Sequence, residues 1–265
     1  MQKSIKTELG MITYESHPAS GKASTILCLP GFGWDSCYGI FKNILDQLPR
    51  EIGFLAIDTI GTGLSIQDQM TRTADHILAN LVSVLQAEKI DHVIVLAHSL
   101  SGAYALLLAN SYPELVKALV LLEPTYAEIG KKLFDEVQPL IDQYPNLKRQ
   151  QVQGKLTTTM MMADVNPNNS LAVRQWNASV LQKAYASQSV LTEAQQVSTL
   201  IERMKTLEQA TYSQLILTLV TDKRYSEYLT SPFVRLGNIT AAPGNHYLQW
   251  SNPDFVLEQL LSVLS

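Results

Sequence analysis

The stretch Val93-Ile94-Val95-Leu96-Ala97-His98-Ser99-Leu100-Ser101-Gly102-Ala103-Tyr104 constrains this chain more than any other. Its opening run of Val, Ile and Leu is too short to span a membrane and suits a strand buried on both faces. From Ala103 to Ala109 the chain is rich in Ala and Leu, the best helix formers. Ser99 sits at the turn between the two, with Ala97 two residues before it and Ser101 two after. A side chain displayed on a sharp strand-to-helix turn needs small neighbours at those places, because backbone and helix crowd there. The common form is G-x-S-x-G; here Ala and Ser replace the glycines and keep the shape. Ser99 is therefore a candidate nucleophile.

Around this stretch, strand-like runs at 25–29, 54–58 and 117–122 alternate with helical spacing at 38–48, 73–87 and 103–110. Residues 4–16 read as two short strands around Leu9-Gly10, at a sheet edge. The rhythm predicts an α/β fold: a mostly parallel sheet of about eight strands, joined by right-handed crossovers and flanked by helices. From about Tyr126 to Gln209 no strand is expected, only helical segments and a loop at 160–169. Strands return at 215–220 and 234–239, and a helix closes the chain at 253–264. An interposed block of about 80 residues is too long for a loop. It is expected to be a helical cap (lid) inserted between strands 6 and 7. The expected division is a core of 1–125 and 210–265 and a cap of 126–209.

Several classes of function fall away. A formal net charge of −4 leaves no basic excess to neutralise phosphates, so no nucleic-acid partner is expected. Cys28 and Cys37 make no disulfide framework, and nothing resembles C-x-x-C or H-E-x-x-H, so neither a metal nor another cofactor is expected. No segment approaches about 18 consecutive apolar residues. The first eight residues lack the apolar stretch of a signal peptide. The expectation is a cytoplasmic protein, monomer or homodimer, with no membrane partner and a small-molecule acyl substrate.

In an open parallel sheet the carboxyl ends of the strands face one crevice. The turns that follow predicted strand ends bring there Pro30-Gly31-Phe32-Gly33-Trp34, the Ser99 turn, Glu123 or Asp222, and Pro243-Gly244-Asn245-His246-Tyr247. A serine hydroxyl is a poor nucleophile until a base takes its proton, and His246 is the candidate base. An acid must orient the imidazole and stabilise its protonated form. The chain order Ser, then Asp or Glu, then His is met by Ser99, Asp222 or Glu123, and His246.

With these motifs the chain resembles the α/β-hydrolase superfamily over nearly its full length. Ala97-His98-Ser99-Leu100-Ser101-Gly102 resembles that family's nucleophile elbow. Pro30-Gly31-Phe32-Gly33 resembles its oxyanion loop, with Pro in place of His. Asp58-Thr59-Ile60-Gly61-Thr62-Gly63-Leu64-Ser65 is similar to its D-x-x-G-x-G-x-S turn, and Gly244-Asn245-His246 to its catalytic-histidine loop. The resemblance implies that the backbone N–H groups of Phe32 and Leu100 form an oxyanion hole, each donor contributing about 3–4 kcal/mol. In most of the family the acid follows the strand after the cap, which favours Asp222; Glu123, where some members carry it, is the alternative. Implied too is a carboxylesterase-like serine hydrolase that cleaves an ester or related acyl bond of a small, mostly apolar substrate through an acyl-enzyme, without a cofactor. Two rivals keep the fold: a catalytically silent ligand-binding protein, and a C–C bond hydrolase with the same triad. A dehalogenase is disfavoured, because the elbow carries Ser rather than the Asp that displaces halide. Trp34 and His98 are the substrate-pocket candidates.

Overall fold

The computed structural model describes residues 1–21, 23–65 and 71–264. A hairpin of β1 (Gln2–Thr7) and β2 (Gly10–His17) leads to β3 (Thr25–Leu29), α1 (Cys37–Leu45), β4 (Gly53–Asp58) and α2 (Ala74–Ala87). Then come β5 (Val93–His98), α3 (Ser101–Ser111) and β6 (Val116–Leu122). Four helices follow, α4 (Gly130–Val152), α5 (Thr158–Met161), α6 (Leu171–Ala184) and α7 (Gln188–Leu207). The chain returns through β7 (Leu215–Thr221), a 3-10 turn (Asp222–Arg224), α8 (Tyr225–Tyr228), α9 (Phe233–Leu236) and β8 (Asn238–Ala242). It closes with α10 (Leu248–Ser251) and α11 (Pro253–Ser262).

The eight strands form one sheet in the order β1-β2-β4-β3-β5-β6-β7-β8. Pairing is antiparallel from β1 to β2 and from β2 to β4, and parallel throughout the rest. Alternation along the strands divides the core. Ile26, Cys28, Ile94 and Leu96 point to one face, against Phe41 and Ile44 of α1 and Val256 and Leu260 of α11. Leu27, Leu29, Val93, Val95 and Ala97 point to the other, against α2 and α3. Both faces are covered, which is why β3 and β5 are apolar at nearly every position. α3 is buried from Ser101 to Ala109 because α7 packs on its outer side, where Tyr104 donates to Glu193 Oε1 at 2.6 Å.

The strand expected at 234–239 is not where the run of Val, Leu and Ile suggests. Residues 233–236 form α9, and β8 begins only at Asn238. Ser231 and Pro232 open a helical turn, the Ser231 hydroxyl accepting from the N–H of Phe233. Gly237 then passes so close to β7 that a Cβ there would lie 2.0 Å from the carbonyl oxygen of Ile216.

The parallel strands end level with one another. Leu29 pairs with Ala97, His98 with Leu122, Leu122 with Leu219 and Thr221 with Ala242. Above these ends the helices between β6 and β7 pack onto the loop after β3: Val137, Ala194 and Val197 against Phe32, and Met161, Val165 and Leu181 around Trp34.

Candidate active site

Ser99 stands at the end of β5 with φ 54°, left-handed backbone that costs a residue with a Cβ roughly 1–2 kcal/mol. Its surroundings hold it there. Its N–H donates to Leu122 O at 2.9 Å, and its carbonyl accepts from Gly102 N at 3.0 Å and Thr125 N at 3.1 Å. Ser101 Oγ donates to Pro30 O, tying the start of α3 to the loop after β3. Two glycines let the pieces close up. At Gly31 a Cβ would lie 3.3 Å from Ser99 Cβ and 2.9 Å from His98 Nδ1; at Gly102 it would lie 2.5 Å from Pro124 Cβ. Gly102→Ala is accordingly expected to destabilise the protein by about 1–3 kcal/mol, the usual cost of overpacking. Chemical denaturation measures it, and an unchanged midpoint would contradict this packing.

His246 comes from the loop after β8 and spans two partners. Its Nδ1 lies 2.8 Å from Glu123 Oε2, and its Nε2 lies 3.1 Å from Ser99 Oγ. A carboxylate only accepts, so Nδ1 carries the proton and Nε2 is left to accept the serine's. The loop is braced from within, Tyr247 N donating to Asn245 Oδ1 at 2.9 Å and Asn245 N to Ser251 Oγ at 3.0 Å. It is also braced from below by His98. That ring is buried, its Nε2–H donates to His246 O at 2.9 Å, and it lies 4.6 Å from the His246 ring. Burial and the neighbouring His246 push its pKa down to about 3, so His98 stays neutral. His98 thus connects the Ser99 turn to the histidine loop as well as lining the cavity above it.

The carboxylate in contact with the imidazole is Glu123, whereas the sequence favoured Asp222. Glu123 follows β6 at φ 40°, its N–H donating to Leu219 O at 2.9 Å on β7. Its side chain is 1% exposed. Oε1 accepts from Thr221 N at 3.0 Å and Thr221 Oγ1 at 2.6 Å; Oε2 accepts from His246 Nδ1 and from Arg224 Nη1 at 3.0 Å. Burial alone would raise this carboxyl's pKa, but the hydrogen bonds from His246, Thr221 and Arg224 outweigh it and bring the pKa down to about 2. Asp222 begins the 3-10 turn just past β7 and is exposed. The tight turn sends Asp222 out to solvent and brings Arg224 back to Glu123.

The other expected site residues divide. Phe32 lines the cavity, and Leu100, directly after Ser99, is buried at the start of α3. Trp34 lines neither cavity at Ser99; it is packed against Tyr185, ring centres 4.6 Å apart, beneath the helices. Two cavities meet at Ser99 and His246. One, of about 230 Å³, is walled by Phe32, Leu133, Val137, Leu140 and Tyr247. The other, of about 520 Å³, is polar, with Thr125, Lys132, Lys223, Arg224 and Asn245 on its walls. The α4 residues and Arg224 were missed from sequence. Only Tyr247 carried a local signal, as the aromatic neighbour of His246. Among the described residues no group of three or more His, Cys, Asp or Glu side chains is arranged to hold a metal, and no helix is long and apolar enough to cross a membrane.

Residues 26–259 match a family model described as Alpha/beta hydrolase family. The chain is 31% identical over 120 residues to a serine hydrolase-like protein of Danio rerio, covering 44% of this chain and 35% of that one. It is 25% identical over 161 residues to 2-(acetamidomethylene)succinate hydrolase of Mesorhizobium japonicum, covering 54% and 57%. The matched region thus spans about a third to somewhat over half the length of these two relatives. Among solved structures, Cfl2 of Burkholderia cenocepacia superposes with a TM-score of 0.78 at 17% identity, covering 100% of this chain and 95% of that one, a likeness of fold.

Proposed function

Since the chain belongs to the alpha/beta hydrolase family, we propose that it is a carboxylesterase-like serine hydrolase that cleaves an ester or related acyl bond of a small, mostly apolar substrate. The observation that carries this reading is His246 bridging Ser99 Oγ and the buried Glu123 carboxylate. In this reading His246 Nε2 takes the Ser99 proton as Oγ attacks the substrate carbonyl. Glu123 stabilises the imidazolium, and the backbone N–H groups of Phe32 and Leu100 receive the oxyanion. The imidazolium then gives its proton to the leaving group, and water, activated by the same imidazole, releases the acyl group from Ser99. No cofactor enters. Residues 126–209 act as the cap, and Leu133, Val137 and Leu140 give the acyl side its apolar wall. The names of the two relatives, both hydrolases or hydrolase-like, support the same class.

A fluorophosphonate probe tests this directly. It is expected to label Ser99, identified by peptide mass spectrometry, while the protein hydrolyses short-chain p-nitrophenyl esters. A folded protein that stays unlabelled and turns over no such ester would sink the reading.

A further inference from the structure

The Glu123 carboxylate is shared. Arg224 Nη1 donates at 3.0 Å to Oε2, the same oxygen that accepts His246 Nδ1–H at 2.8 Å. Thr221 supplies two donors to Oε1, so all four acceptor positions of the carboxylate are taken. The guanidinium is itself anchored on its far side. Nε and Nη2 donate to Glu227 at 3.0 and 2.5 Å, and the group lies 4.9 Å over the Tyr228 ring. Tyr228 OH in turn donates to Pro124 O, next to Glu123, at 2.8 Å. Only a rigid fork reaches two carboxylates at once in this way; a lysine ammonium is a point charge on a flexible stem.

We propose that Arg224 is a positioning residue for the reaction: it fixes the Glu123 carboxylate against His246 and takes a share of the charge on Oε2, so that this carboxylate holds the imidazolium less tightly than an unshared one. The proposal rests on reading Ser99, His246 and Glu123 as nucleophile, base and acid. Other charged or titratable groups border the pair. His98 of β5 and Tyr247 lie beside His246; Tyr126, Lys223, Glu227 and Tyr228 surround Glu123 and Arg224; Lys132 and Glu136 of α4 line the polar cavity. Among the described residues, Arg224 is the Lys or Arg side chain in direct contact with Glu123.

The test is the rate of fluorophosphonate labelling against pH on the full chain, with native protein, R224Q and R224K, folding being checked by circular dichroism. With the guanidinium gone, Oε2 turns its full charge on the imidazole. Protonation then competes with the base up to higher pH, and the labelling midpoint moves up by about one pH unit. Loss of the fork lowers the plateau rate about tenfold, as loss of an orienting partner does. R224K, which keeps the charge without the fork, is expected to hold the native midpoint at a reduced rate, and it tests the fork even if R224Q does not fold. Native rate and midpoint in R224Q, native rate in R224K, or a midpoint in R224K displaced upward by about one unit, overturns the proposal. If the native protein labels at Ser99, such a failure falls on Arg224 alone; if it does not label, the underlying reading fails with it.

Discussion

Replacing Glu123 with Gln is expected to lower kcat for a short-chain p-nitrophenyl ester by about 10⁴-fold, while Asp222→Ala changes it by less than about twofold. The gap follows from hydrogen-bond bookkeeping at His246. Nδ1 faces an oxygen that, in the native protein, only accepts, so the ring proton is fixed on that side and Nε2 is bare toward Ser99. A glutamine that keeps its oxygen on the two Thr221 donors, at the Oε1 position, presents its NH₂ at the Oε2 position, to Nδ1, instead. The ring must then carry its proton on Nε2, the nitrogen that has to accept from serine. The site keeps its shape with the wrong tautomer. Asp222 is exposed, outside this set of contacts, and truncating it changes none of them. Steady-state kinetics of the two variants measure the difference, and a large loss at Asp222 with little at Glu123 would reverse the assignment.

Still larger losses are expected at the other two members. Ser99→Ala and His246→Ala are each expected to lower kcat by about 10⁶-fold, and the double variant is expected to be no worse than either alone. A hydroxyl without its base and a base without its hydroxyl are equally useless, so the second deletion removes nothing that still acts. Residual turnover would come from binding and from the proposed oxyanion donors, Phe32 and Leu100 N–H, which neither substitution removes. Losses that multiply in the double variant would mean that the two side chains act in separate steps, contrary to the 3.1 Å contact between them.

What could be read from sequence was local. Ser99 announces itself because a strand, a turn of small residues and a helix follow within a dozen positions, and each imposes its own composition. His246 was legible for a similar reason, standing in a Gly-containing loop between a strand and a closing helix. Glu123 and Asp222 could not be separated that way, since both follow strands and both satisfy the chain order. The choice is made by Leu219 O, which receives the N–H of Glu123, and by a 3-10 turn that exposes Asp222. Likewise, the β-branched run at 234–239 loses to Pro232 before it and to the approach of Ile216 O to Gly237. Trp34 reads as a pocket residue only until Tyr185, some 150 positions away, is seen to cover it.

The backbone bonds from Ser99 N to Leu122 O and from Glu123 N to Leu219 O have a mechanical consequence. They weld the hydroxyl and the carboxylate to three adjacent strands, so those two groups form a single stationary jaw. The imidazole is the other jaw, delivered on a loop beyond the edge strand and held by the bond from His98 and by the bonds of Asn245 to Tyr247 and Ser251. A displacement of that loop alone would part the imidazole from both groups and leave the sheet behind it in place.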